Sequence, residues 1–263
     1  MKKNLFVCGC PRSGTTVITQ LLNWHPQVSI GMERYGQLLQ RRPDRFSPKL
    51  FNINRFFNIK ERDCFYDSFE FKAYSDWYCS KFSQEKYKES IYVGDKIPEL
   101  YKFFAVIEKN FAETEYKIIF ILRDLPSVAA SYNARANNPQ DRWDADKDAK
   151  QAVIDWNTAI VAVYEQLQQT GANSVVIPVK YNDFFTDYER GKNKLTDLFE
   201  KIELTTTKEV LEGYKLLGDR FEKIQKRREK VGQGAGEIYE LDPEYLQKHA
   251  EFDKYNFIEK QCI

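Results

Sequence analysis

The stretch Leu5-Phe6-Val7-Cys8-Gly9-Cys10-Pro11-Arg12-Ser13-Gly14-Thr15-Thr16-Val17 decides the fold. Leu5, Phe6 and Val7 read as a short buried strand. Val17, Leu21 and Leu22 lie on one face of a helix that begins just after Gly14. A strand, a tight glycine loop and a helix N-terminus make an anion site. The first-turn N–H groups have no carbonyl partners, and the helix dipole adds positive potential. Gly9 and Gly14 let the backbone approach a phosphate with no Cβ in the way.

The two glycines have the G-x4-G spacing of a P-loop. Thr15 follows the second glycine, where a Walker A loop needs Lys to reach the β- and γ-phosphates of a nucleotide. The cation sits inside the loop instead, as Arg12. That argues against an ordinary ATPase and for a different anionic group. The bland alternative for the loop alone is a chance glycine turn between a strand and a helix.

The 263 residues fit one large α/β domain, and 42% hydrophobic with 15% aromatic residues can bury a sizeable core. Forty basic residues against thirty-nine acidic leave a net charge of +1, so nothing overall asks for nucleic acid or a membrane surface. No apolar run approaches the length of a membrane span. Met1-Lys2-Lys3-Asn4 leads straight into the first strand with no signal-peptide pattern, so a cytoplasmic location is expected. The five cysteines, Cys8, Cys10, Cys64, Cys79 and Cys262, form neither a disulfide framework nor a zinc pattern. The two histidines are His25 and His249.

Along the chain, Pro26 disfavours helix at His25 and should end the first helix there. His25 reads as a residue packing that turn. Residues 27–30 return as a strand, Gly31 makes a turn, and Met32-Glu33-Arg34-Tyr35 starts a helix with Glu33 in its first turn. Residues 41–82 carry many aromatic rings, and their first half is basic, with Arg41, Arg42 and Arg45 at its start. This reads as an irregular excursion followed by a helix near 68–81. It serves either as a lid or binding loop or as core filling beneath a long connection.

Residues 90–98 form a second strand entering a loop, with Pro98 opening a helix to Asn110. Tyr116 to Leu122 is a nearly continuous apolar run suited to a parallel strand buried on both faces. Helices are expected from Leu125 to about Ala136 and from about Lys147 to Gln169, the second stopped by Gly171. Val175 to Val179 is the last strand, with Tyr181 just past its end. The remainder reads as helical, at 189–201, 207–226 and 242–252. The basic, then glycine-rich segment at 226–240 is either a solvated charge run or a loop covering a nucleotide phosphate. The alternation predicts a P-loop-like, doubly wound parallel sheet flanked by helices, in a single domain spanning residues 1–263.

A second motif follows the Tyr116–Leu122 strand. Arg123 offers a forked, permanently charged donor at the strand's C-terminal edge, where open α/β sheets bind ligands. Ser131 lies two helical turns on, and Arg135 one turn beyond it. With the loop residues Pro11, Arg12, Ser13, Gly14, Thr15 and Thr16, and with L-L-x-x-H-P after them, this R-D-x6-S arrangement resembles the nucleotide-binding motifs of sulfotransferases that use 3′-phosphoadenosine 5′-phosphosulfate (PAPS). The resemblance covers residues 5–35 and 90–135, with general architecture to about residue 200. It implies that the loop holds the 5′-phosphosulfate, that Arg123, Ser131 and Arg135 hold the 3′-phosphate, and that Tyr181 joins the nucleotide site.

Cytosolic sulfotransferases place a catalytic His two residues before a Pro at the end of the second strand. This chain has Lys96 there. The spacing P-R-S-G-T-T…H-P-x-V-x-x-G followed by Glu is closer to tyrosylprotein sulfotransferases. That likeness implies Glu33 as general base and Lys96 and Arg12 as electrostatic stabilisers. The implied reaction moves a sulfuryl group from PAPS to a hydroxyl, or an amine, of a small-molecule or glycan acceptor, with no metal required. Two other readings stay open from the residues alone. One is a P-loop kinase or NTPase acting on a small molecule, and the other is a non-catalytic nucleotide-binding module.

Overall fold

A computed structural model of the chain describes residues 2–65, 68–185, 187–230, 245 and 248–263. The five apolar runs become the strands β1 (Lys3–Cys8), β2 (Val28–Met32), β3 (Tyr92–Lys96), β4 (Tyr116–Leu122) and β5 (Val176–Lys180). They form one sheet in the order β2-β3-β1-β4-β5, with every neighbouring pair parallel. The helices in chain order are α1 (Thr15–Trp24), α2 (Gly36–Arg41), α3 (Ile53–Phe56), α4 (Ser68–Lys81), α5 (Gln84–Glu89), α6 (Phe104–Asn110), α7 (Leu125–Ala136), α8 (Ala149–Thr170), α9 (Tyr181–Phe185), α10 (Tyr188–Lys201), α11 (Lys208–Lys230) and α12 (Phe252–Glu259).

Alternate strand residues face two separate cores, as the pleat requires. Leu5, Val7, Ile119 and Ile121 pack with α1 and α10 on one face, while Phe6, Cys8, Ile118 and Phe120 pack with α7 and α8 on the other. The chain leaves β1 toward β2 over the first face, and leaves β4 toward β5 over the second. A crevice therefore opens between the C-terminal ends of β1 and β4, at the switch point of the sheet.

Most rings of residues 41–82 serve the second core. Phe46, Phe51, Phe56, Tyr74, Tyr78 and Phe82 are buried, and Phe6 meets Phe46 and Phe51 with centroids 5.7 and 5.5 Å apart. Phe65 and Trp77 are the large exceptions among the described side chains, at 48% and 39% exposure. Core filling is thus the main work of this segment, and two rings are left facing outward.

His25 caps the turn after α1 as expected. It is buried, its ring nitrogens meet the Thr205 carbonyl and the Gln27 N–H, and it stacks on Phe199. Gly171 ends α8 with φ 53°, a left-handed conformation that glycine adopts without a Cβ penalty.

Four expectations need correction. Gly31 is not a turn: it lies inside β2, opposite Asp95. Glu33 is not in a first helical turn, because α2 begins only at Gly36 and Glu33 sits at the corner before it. Pro98 opens a 3-10 segment, Pro98–Phe103, before α6 takes over. At the C-terminal end a helix forms at Phe252–Glu259, where none was expected. Of the expected helix at 242–252, residues 242–244, 246 and 247 lie outside those described, residues 245, 248 and 249 are helical, and residues 250 and 251 are not. The suggested covering loop at 226–240 falls on the end of α11 and then on residues outside those described. No helix among the described residues is long and apolar enough to cross a membrane.

Candidate active site

Each strand delivers one part of the site at its C-terminal end. The order across the sheet is Glu33 after β2, Lys96 at the end of β3, the 9–14 loop after β1, Arg123 after β4 and Tyr181 after β5. This is the edge where open α/β sheets bind ligands.

The loop is built for close approach. A Cβ on Gly9 would lie 2.5 Å from Ser13 Oγ and 2.7 Å from the Ile121 carbonyl. Gly14 has φ 99°, and a Cβ there would lie 2.3 Å from the ring of Tyr181. Tyr181 therefore walls the loop. Val17 and Ile18 both donate to the Gly14 carbonyl, at 3.2 and 3.3 Å. The N–H groups of Thr15 and Thr16 precede those first helical bonds, and no side chain caps the helix. Ser13 is fully buried, and its Oγ has no hydrogen-bond partner among the described residues. Free helix-end donors with a buried, unmatched hydroxyl suit a phosphate oxygen.

Arg12 links the loop to the second motif. Its Nε donates to Ser131 Oγ at 3.0 Å, and its own carbonyl accepts from Arg123 Nη1 at 2.9 Å. Arg123 lies over the Tyr181 ring at 4.6 Å, its carbonyl accepts from Trp156 Nε1, and its buried Nε has no partner among the described residues. Desolvation first, then the charges of Arg135 and Arg123, lowers the pKa of Arg12. The Arg135 and Arg123 guanidiniums thus lie close enough to Arg12 for their charges to oppose its own. Arg135 is partly committed elsewhere. It holds Asp141, with Nε to Oδ2 at 2.7 Å, and lies over Trp143. Asp124 caps α7 through the Ser127 N–H at 2.8 Å and accepts from Asn182, so its role in the R-D pair is to fix the start of α7.

At the other end, the Lys96 ammonium forms an ion pair with Glu33 and donates to Oε1. The Glu33 N–H also donates to the Lys96 carbonyl at 2.8 Å. The Lys96 side chain is 4% exposed and that of Glu33 is 36% exposed. The cation is thus fixed from below, and the carboxylate reaches the surface. Glu33 has φ 59° and Arg12 has φ 70°, so both occupy the left-handed region that non-glycine residues avoid. Such conformations persist where surrounding contacts over-determine them, and they gather at functional sites. Nothing in the local sequence announces either.

Sequence reasoning missed Asp95. It is fully buried, and its two carboxylate oxygens accept from the N–H groups of Arg34 and Tyr35 at 3.1 and 2.8 Å. Burial pushes its carboxyl up to about 7, although both hydrogen bonds and the charges of Arg34 and Lys96 pull it down. An aspartate in the interior of an apolar strand, where that residue type is depleted, was the available signal. Among the described residues, no group of three or more His, Cys, Asp or Glu is placed to hold a metal ion.

Residues 4–205 match the profile described as "Sulfotransferase family". The chain belongs to the sulfotransferase family. Among solved structures, it is similar to the sulfotransferase domain from the curacin biosynthetic pathway. The TM-score is 0.51 at 15% identity, covering 81% of this chain and 78% of that one. The sulfotransferase domain from the Synechococcus PCC 7002 olefin synthase gives a TM-score of 0.51 at 16% identity over the same shares. Sulfotransferase STF1 from Mycobacterium tuberculosis H37Rv gives 0.50 at 15% identity, covering 82% and 71%. At these identities the likeness is one of fold. A search of curated proteins gave no match. Family membership makes sulfuryl transfer the general activity of this sulfotransferase.

Proposed function

We propose that this sulfotransferase transfers the sulfuryl group of PAPS to a hydroxyl, or an amine, of a small-molecule or glycan acceptor, with Glu33 as general base. The carrying observation is the pairing of two unlike ends on one sheet edge. One is a carboxylate clamped by a buried lysine. The other is a cluster of Arg12, Arg123 and Ser131 beside a glycine loop.

The donor set fits a nucleotide with two separated phosphate groups. The Thr15 and Thr16 N–H groups and Ser13 would take the 5′ end, and Arg123, Ser131 and Arg12 the 3′-phosphate. Bound there, PAPS supplies an activated sulfuryl group whose S–O bond to phosphate breaks as the acceptor–sulfur bond forms. Glu33 takes the acceptor proton, the Lys96 ammonium holds that carboxylate in place, and Arg12 with the loop N–H groups balances charge on the phosphate end. Arg135 is the weakest member of the set because Asp141 already holds it.

Phe65 and Trp77 are outward-facing rings tied by contacts to the Glu33 corner. Phe65 lies on Gly36, whose Cβ would fall 2.4 Å from its ring. Trp77 neighbours Tyr74, whose hydroxyl donates to the Met32 carbonyl at 3.0 Å. Phe65→Ala and Trp77→Ala are expected to raise acceptor KM about 5–30-fold, reflecting roughly 1–2 kcal/mol of lost apolar contact, with PAPS KM unchanged. Steady-state kinetics with each substrate varied in turn checks this. Unchanged acceptor KM in both variants would remove these two rings from acceptor binding.

The function itself is tested by incubating the protein with PAPS and a panel of alcohols, phenols, amines and oligosaccharides. PAPS and acceptor are then followed to 3′-phosphoadenosine 5′-phosphate (PAP) and sulfated product. Product formation in stoichiometric amount with PAP, in the presence of a chelator, is the expected result. Phosphorylated product from Mg·ATP would establish the kinase reading instead.

A further inference from the structure

The Glu33 corner is held by a device outside the reacting groups. Three successive N–H groups, those of Glu33, Arg34 and Tyr35, are all captured by two adjacent residues of β3. Glu33 N–H goes to the Lys96 carbonyl at 2.8 Å, Arg34 N–H to Asp95 Oδ1 at 3.1 Å and Tyr35 N–H to Asp95 Oδ2 at 2.8 Å. Gly31 makes room for the carboxylate. It lies opposite Asp95 in the sheet, and a Cβ on it would fall 2.8 Å from Asp95 Oδ1. Asp95 is fully buried, so it touches neither bulk solvent nor any substrate reaching the exposed Glu33 carboxylate. Lys96, the next residue, holds that carboxylate from the same strand.

A left-handed conformation at Glu33 is disfavoured on its own. The bonds on the two residues that follow favour it over the alternatives. Without Asp95 the Arg34 and Tyr35 N–H groups lose their partners, and the Lys96 carbonyl bond, the Gly36 N–H bond to the Glu33 carbonyl and the Tyr74 bond to the Met32 carbonyl hold the corner less tightly. We infer that Asp95 is a positioning residue, fixing the backbone corner that aims the Glu33 carboxylate at the acceptor. The inference rests on the reading of Glu33 as base.

The test is Asp95→Asn alone and in a Glu33→Gln background. Both are compared for kcat, both KM values, PAP affinity and thermal unfolding. Asn keeps the shape and one acceptor oxygen, but its amide faces the second N–H donor. Asp95→Asn is expected to lower kcat by about 10–100-fold, as small misplacements of reacting groups do, with KM and PAP affinity near wild type. In the Glu33→Gln background the same change should alter residual kcat by less than about 2-fold, because the two residues act as one unit. If Asp95→Asn does not fold, Gly31→Ala displaces the same carboxylate and carries the same expectation.

Wild-type kcat in Asp95→Asn would overturn the inference. So would an equal loss in the Glu33→Gln background, or a loss of PAP affinity matching the loss of kcat. If Glu33→Gln keeps full turnover, the reading of the base fails and this inference falls with it. If Glu33→Gln is impaired while Asp95→Asn is not, the inference alone fails.

Discussion

Glu33→Gln is expected to lower kcat by about 10²–10⁴-fold, the usual contribution of a positioned general base, and to leave PAP affinity unchanged. The two effects separate because Glu33 and the phosphate donors stand on different strands. Glu33 follows β2 at one edge of the sheet, whereas Arg12 and Arg123 follow β1 and β4. Gln keeps the length of the side chain and can still accept from Lys96, so the corner should survive. What it loses is the capacity to take a proton from the acceptor. Single-turnover measurement with saturating PAPS isolates this step from binding and product release. Full turnover in Glu33→Gln would leave the carboxylate as a structural partner of Lys96 and send the search for the base elsewhere.

Arg123→Ala is expected to weaken PAP binding by about 10–100-fold, as loss of a charge-assisted hydrogen bond of roughly 1.5–3 kcal/mol would. AMP, which lacks the 3′-phosphate, should bind the variant and the wild type alike. The contrast matters because Arg123 has two connections. One is its own charge, with a buried Nε that has no partner among the described residues. The other is structural, through the bond from Nη1 to the Arg12 carbonyl at 2.9 Å. Loss of PAP affinity alone assigns Arg123 to the 3′-phosphate. Equal loss for AMP assigns it to bracing the loop. Titration calorimetry of the two nucleotides against both proteins distinguishes these outcomes.

The sheet was largely legible because its information is local. Tyr116–Leu122 is a run of β-branched and aromatic residues, and its strand boundaries match the apolar run. The loop and α1 were legible through glycine spacing and helical periodicity, and Pro26 marked the end of that helix. The Glu33 corner was not legible, for a physical reason. Its backbone is set by Lys96 and Asp95, about sixty residues away in sequence. Read locally, Met32-Glu33-Arg34-Tyr35 favours a helix start, and Gly31 reads as a turn. Gly31 is instead the space that Asp95 occupies.

The same holds for Arg12. Its place inside the loop was readable, but its bond to Ser131 Oγ joins two motifs that only the β1–β4 pairing brings together. The helix at Phe252–Glu259 did leave a signal. Phe252, Tyr255 and Ile258 recur every third residue, and Tyr255 stacks on Trp156 in the core, but the run is short and charged. The acceptor stays outside the reach of sequence because most rings of residues 41–82 fill the core.

The most direct test of the central claim is calorimetric titration of the wild-type protein with PAP, AMP and Mg·ATP, the first two in the presence of a chelator. A 5′-phosphate loop joined to a separate Arg123–Ser131–Arg12 cluster predicts metal-independent binding of PAP, about 100-fold or more tighter than AMP. Tighter binding of Mg·ATP than of PAP, or PAP no tighter than AMP, would contradict the assignment of PAPS as the sulfuryl donor.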